Sequence, residues 1–230
     1  SPLKARNGDT TVTGLPLRAA IAELASHRAD AQGAAQARRE AAERLGVDPD
    51  APTLLVTGGS LGALHVNESM TGAADALPEG AQVVHLTGRG KDEPVRAAVE
   101  DAGLSDRWHV IDYLTTMEDA LAVADLVVCR SGAGTVAEME ALGLPCIYVP
   151  LPIGNGEQRL NAADHVASGG AQLIDDKDFT ADFVRRNVFP LLGSTRLADM
   201  AAASQSLGRA GAARALADLA LEQVKEAGHE

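Results

Sequence analysis

From residue 53 onward the chain alternates between short unbroken apolar runs and stretches in which apolar residues return at helical spacing. Unbroken Val/Ile/Leu runs suit strands covered on both faces, and the 3.6-residue rhythm suits helices. This reading places strands at 53–57, 82–87, 108–114, 126–129, 146–149 and 172–174. Helices are expected from the Gly58-Gly59 turn to 77, then at 93–103, 117–124, 134–142 and 157–168. Two Ala-rich amphipathic stretches precede them at 17–26 and 34–45, separated by a polar patch from Asp30 to Gly33. The remainder, 179–225, reads as helical with breaks at Pro190 and Gly208.

Regular strand–helix alternation with right-handed crossovers gives an α/β fold, an open, doubly wound parallel sheet with extra C-terminal helices. Ligands in such sheets bind outside the carboxyl ends of the strands, at the switch point. The loops leaving those ends are therefore the candidate sites.

Composition narrows the chemistry. With 20 Lys and Arg against 32 Asp and Glu, the 230-residue chain carries a formal charge of -12. That argues against a nucleic-acid surface, which needs basic excess. A small anion is still admissible, because helix-start N–H groups hold one without net positive charge. Aromatics are 3% of the chain, so an Ala/Val/Leu core is expected. Cys129 and Cys146 both lie in apolar runs and are expected as buried thiols, which suits a cytoplasmic protein. No apolar run reaches the roughly 18 residues of a spanning helix. The chain opens on Ser1-Pro2 without Met, as expected of a fragment or processed product.

Three loops stand out. Gly58-Gly59-Ser60-Leu61-Gly62-Ala63 follows the first strand. Its glycines permit a tight turn, and Ser60 is placed to cap the following helix or to offer its hydroxyl to a ligand. Asn67 would share the Ser60 face two turns on. The second loop, Arg130-Ser131-Gly132-Ala133-Gly134-Thr135-Val136-Ala137-Glu138, follows the fourth strand and opens a helix. Free N–H groups and the positive helix end make this loop a natural diphosphate cradle. Glu138 lies three and four residues beyond Thr135 and Gly134 and faces the same way. A carboxylate there repels a phosphate but can accept two ribose hydroxyls. The third loop runs from Pro150 through Gly154 to Asn161. Gln158 and Asn161 are expected on one face, with amides suited to sugar hydroxyls.

Other signals fit less well. Gly132-Ala133-Gly134-Thr135-Val136-Ala137 matches a dinucleotide fingerprint, but the next strand ends in Val149-Pro150 without an acid for the ribose. Asp48-x-Asp50 is a turn, and Asp176-x-Asp178 is expected to cap a helix at Phe179. The six histidines show no ligand spacing, so no metal site and no cofactor are expected.

Together, in this order and spacing, the three loops resemble those of the MurG family, the undecaprenyl-diphospho-muramoylpentapeptide β-N-acetylglucosaminyltransferases of peptidoglycan synthesis. The resemblance runs from about Gly14 to the C-terminus, and Gly14-Leu15-Pro16-Leu17-Arg18 looks like the family's interdomain junction. It implies a GT-B fold, with this chain as the donor-binding half. The implied division is a junction at 1–16, a donor domain at 17–208, and a C-terminal helix and tail at 209–230. Arg18, Ser60 and the backbone of Ala133, Gly134 and Thr135 would hold the diphosphate of UDP-N-acetylglucosamine (UDP-GlcNAc). The Leu114 backbone would meet the uracil, Glu138 the ribose, and Gln158 the sugar. Asn67 would lie near the reaction centre.

The implied reaction is a metal-independent, inverting transfer of GlcNAc to the C4 hydroxyl of lipid I, giving lipid II at the cytoplasmic face of the cell membrane. The family's Gly-rich loop with its candidate base belongs to an N-terminal acceptor domain and has no counterpart in these residues. The chain is therefore expected to bind donor without turning it over alone. Other readings are the donor-binding subunit of a split glycosyltransferase, or an enzyme resembling the UDP-GlcNAc 2-epimerases.

Overall fold

The computed structural model describes residues 14–59, 62–153, 155–207 and 218. Six strands form one sheet: β1 (Thr53–Thr57), β2 (Gln82–Leu86), β3 (Trp108–Ile111), β4 (Leu126–Cys129), β5 (Cys146–Tyr148) and β6 (Ala171–Leu173). All pairings are parallel, in the order β3-β2-β1-β4-β5-β6. The chain starts mid-sheet, winds to one edge, then returns past β1 to build the other half. The expected doubly wound fold is present, and its switch point lies between β1 and β4.

Among the described residues, ten α-helical segments flank the sheet: α1 (Ala19–His27), α2 (Ala31–Leu45), α3 (Leu64–Thr71), α4 (Glu93–Asp101), α5 (Met117–Val123), α6 (Ala133–Leu142), α7 (Glu157–Asn161), α8 (Ala163–Ser168), α9 (Ala181–Phe183) and α10 (Thr195–Gln205). Strand residues alternate between two cores. Leu54, Val56, Val83, Val128 and Ile147 join the helices α3 and α4 and the segment from Phe179 to Met200. Leu55, Val84, Val127, Cys146 and Tyr148 join α1, α2, α5 and α6. Each buried Val or Leu contributes about 1.5–3 kcal/mol, so burial on both faces explains why these strands are apolar throughout. Ala, Val and Leu dominate both cores, but Trp108, Tyr148, Phe179 and Phe189 are also fully buried.

β1 and β4 fall on the expected ranges, β2 and β5 differ by one residue at an end, and β6 is shifted by one residue at both ends. Six expectations are corrected. β3 stops at Ile111 rather than 114, because its neighbour β2 ends opposite it at Leu86. Leu114 therefore lies in the loop beyond the strand. α2 starts at Ala31, not 34, because the Asp30 side chain accepts from the Gly33 N–H at 2.8 Å and caps the helix. α3 runs only from Leu64 to Thr71, with Ala63 as its N-cap residue and a 3-10 turn at Ala74–Ala76. The N-cap position is thus Ala63, and Ser60, the expected cap, lies outside the described residues. The helix expected at 157–168 is divided at Ala162, which is fully buried. Asp176–Asp178 forms a 3-10 turn, and the cap that follows is Thr180, whose hydroxyl accepts from the Phe183 N–H. The C-terminal break falls at Gly193, with a φ of 74°, while Pro190 sits inside a 3-10 turn. Gly208 and the expected helix at 210–225 lie outside the described residues, apart from helical Asp218.

Candidate functional site

The loops leaving β1, β2, β3 and β4 enclose a cavity of about 230 Å³ at the switch point. Its shape starts with glycine. A side chain at Gly62, which has a φ of 66°, would meet the Thr87 carbonyl oxygen at 2.1 Å. At Gly58 it would meet the Ala63 nitrogen at 2.3 Å. Gly62 therefore lies flat against the end of β2, and Thr57 and Gly59 line the cavity.

The opposite wall is the start of α6. Gly132 is its N-cap residue and offers no side-chain cap. The first intrahelical bond runs from Val136 N–H to the Gly132 carbonyl at 2.9 Å. The N–H groups of Ala133, Gly134 and Thr135 take no partner among the described residues. They lie at the positive end of the helix dipole.

Thr135 and Glu138 line the cavity together, as their spacing on one face requires. Arg18, the N-cap residue of α1, reaches the same space. Its Nε donates to Glu138 Oε1 at 2.8 Å and its Nη2 to Oε2 at 3.0 Å. These bonds raise the Arg18 pKa above its ordinary value. Leu114 lines the wall contributed by the loop after β3. The structure thus brings Arg18, Leu114, Thr135 and Glu138 into one cleft.

A second cavity of about 330 Å³ lies beside the loop after β5. Gln158 lines it, and its Oε1 accepts from the Leu151 N–H at 3.0 Å. Its Nε2 has no partner among the described residues. Asn161, expected beside Gln158, turns elsewhere: its Nδ2 donates to the Ser131 carbonyl at 3.1 Å. That anchor ties α7 to the loop before α6. The Ser131 hydroxyl is buried with no partner among the described residues. Arg130 lines the first cavity and Asp176 the second. They form an ion pair, so the two cavities are neighbours.

Asn67 is buried outside both linings. Its Nδ2 donates to the Thr87 carbonyl at 3.1 Å and its Oδ1 contacts His85 Nε2 at 3.1 Å. Trp108 Nε1 donates to His85 Nδ1, so the neutral ring carries its proton on Nε2. Burial pushes the His85 pKa down to about 3. Cys129 and Cys146 are buried free thiols. Among the described residues, no cluster of three or more His, Cys, Asp or Glu side chains is arranged to hold a metal.

Tyr113 was not singled out in the sequence, yet it lines the cavity beside Leu114, with Arg89 stacked 3.7 Å over its ring. Its position just past the carboxyl end of an edge strand was the available signal. Met117, at the start of α5, also contributes to the lining.

Comparison with known proteins places this cleft in a family. The profile of the glycosyltransferase family 28 C-terminal domain matches residues 53–218. A protein of Bifidobacterium longum named UDP-N-acetylglucosamine–N-acetylmuramyl-(pentapeptide) pyrophosphoryl-undecaprenol N-acetylglucosamine transferase is 47% identical, over 94% of this chain and 58% of its own length. A Paenarthrobacter aurescens protein of the same name is 46% identical, over 92% of this chain and 55% of its own. This chain therefore spans little more than half the length of these relatives. The crystal structure of Acinetobacter baumannii MurG superimposes with a TM-score of 0.68 at 29% identity, covering 79% of this chain and 52% of that one. A Listeria monocytogenes structure titled a putative UDP-N-acetylglucosamine 2-epimerase shares the fold, with a TM-score of 0.58 at 20% identity over 80% of this chain and 47% of that one. The six-stranded sheet is accordingly the Rossmann-like half of a GT-B glycosyltransferase, and the chain belongs to glycosyltransferase family 28, whose C-terminal domain it carries.

Proposed function

We propose that this domain binds UDP-GlcNAc and, together with an acceptor-binding domain, transfers GlcNAc to the C4 hydroxyl of the MurNAc-pentapeptide of lipid I. The observation that carries the reading is the convergence of Arg18, Leu114, Glu138 and Thr135 at one switch-point cleft, at a helix start whose first N–H groups take no partner among the described residues. The diphosphate lies against Ala133, Gly134 and Thr135, where the helix dipole and Arg18 oppose its charge. The family resemblance assigns Ser60 to the same diphosphate. The uracil edge meets the Leu114 backbone, and the ribose hydroxyls meet Glu138. The neighbouring cavity takes the sugar, whose hydroxyls accept from Gln158 Nε2, with Asn161 holding that wall in place.

Transfer is a single displacement with inversion. The acceptor oxygen bonds to the anomeric carbon as the bond from that carbon to the β-phosphate oxygen breaks. The hydroxyl proton goes to a base on the acceptor domain, and UDP leaves with the electron pair. Negative charge grows on the leaving diphosphate, so donors preorganised there favour the transition state over the ground state. Asn67, buried outside both cavities, acts indirectly in this reading, by holding the Thr87 carbonyl.

No helix among the described residues is long and apolar enough to cross a membrane. The lipid-linked acceptor is met at the cytoplasmic membrane surface by the complete enzyme. Calorimetric titration with UDP-GlcNAc, UDP-glucose and UDP-GalNAc tests the donor assignment. UDP-GlcNAc should bind most tightly, and equal affinity for all three would contradict the sugar subsite.

A further inference from the structure

The donor reading asks Arg18 and Glu138 for different partners, a diphosphate for one and a ribose for the other. In the structure they hold each other. The two bonds, at 2.8 and 3.0 Å, form a fork that takes one lone pair from each carboxylate oxygen. Two vicinal hydroxyls approach a carboxylate in the same forked geometry. Guanidinium and ribose therefore compete for the same lone pairs.

The two sides of the pair differ in freedom. Glu138 sits within α6 and its side chain is only 14% exposed. Arg18 is 55% exposed, at the N-cap of α1. Among the described residues its side chain hydrogen-bonds to Glu138 alone. Both Arg18 and Thr135 line the one cavity, so the guanidinium and the α6 start face the same space. The cation is therefore the less enclosed partner of the two.

We propose that Arg18 and Glu138 form an exchange switch that makes ribose binding conditional on a diphosphate. The inference rests on the donor reading above. A diphosphate at the α6 start draws Arg18 to itself, and Glu138 is released to take the ribose. One ion pair replaces another, so the exchange is nearly balanced. A nucleoside without phosphates must break the pair and leave the cation unmatched. The site thereby rejects uridine by more than the missing phosphate contacts alone.

Calorimetry on the full chain with uridine and UDP tests this, using Arg18→Met and Arg18→Lys. Arg18 caps α1 through its backbone only, so neither change removes a side-chain cap. In Arg18→Met, uridine should bind roughly two- to fivefold more tightly, the worth of an exposed ion pair. UDP should bind roughly tenfold or more weakly, as a charged hydrogen bond is lost. Lysine keeps the charge but cannot make the fork, so it should raise uridine affinity while keeping most UDP affinity. Uridine affinity unchanged or lowered in both variants, with UDP still bound by the native chain, would overturn the switch. Failure of the native chain to bind UDP would remove the donor reading itself, and the switch with it.

Discussion

The guanidinium of Arg130, at the end of β4, is ion-paired with the carboxylate of Asp176, 46 residues further along the chain. The same Nη1 donates to the carbonyls of Val149 and Pro150, both at 3.0 Å. His65 Nδ1, at the start of α3, lies 3.2 Å from the other Asp176 oxygen. One cation thus joins the loops after β4 and β5 to the turn that carries Asp176, on the wall between the two cavities.

Both members of that pair are about 85% buried, with side chains 14% and 15% exposed. Removing one leaves a buried charge without its partner, which costs about 3–5 kcal/mol. Arg130→Met should lower unfolding stability by roughly 3 kcal/mol in urea, and should weaken UDP-sugar more than UDP. A loss under about 0.5 kcal/mol, the size of an ordinary surface substitution, would mean the pair does not hold the loops.

Glu138→Ala tests the ribose assignment by its selectivity. Hydrogen bonds to a charged group contribute about 1.5–3 kcal/mol, so UDP affinity should fall by one to two orders of magnitude. The native chain should prefer UDP over 2′-deoxy-UDP, and the variant should bind both alike. A preference that survives the substitution would place the ribose elsewhere.

Acid should destabilise the domain through its buried histidines. Burial pushes His85 from 6.5 to about 3, and His165 to about 4. His165 is held by Tyr148 and Ser204, each at 2.8 Å. Below pH 6.5 the unfolded chain binds protons that these folded rings refuse. Stability therefore falls as pH drops from 6.5 toward the folded values, by about 1.4 kcal/mol per pH unit for each ring. His85→Gln should be less stable than the native chain at pH 7, and that gap should narrow by about 2 kcal/mol at pH 5. A gap that stays constant in urea titrations at both pH values would contradict the assignment.

How far the sequence could be read depended on where each residue sits. β1 and β4 are central and apolar on both faces, so their ranges were legible to the residue. β3 is an edge strand, and the apolar run that contains it continues to Leu114, which lines the cleft instead of the sheet. Function and packing use the same residue type there, and hydrophobicity cannot separate them. The α6 start was legible because its glycines, Thr135 and Glu138 are local in sequence. The pairing of Arg18 with Glu138 spans 120 residues, and no periodicity carries it. Gln158 and Asn161 were expected to work together, yet α7 is a single turn, and the Ser131 carbonyl claims Asn161.

A crystal structure of this chain grown with UDP examines the account at its centre. The β-phosphate should lie within hydrogen-bonding distance of the Gly134 and Thr135 N–H groups, with the ribose on Glu138 and Arg18 turned toward the phosphates. UDP bound at any other place, or no density at saturating concentration, would contradict it.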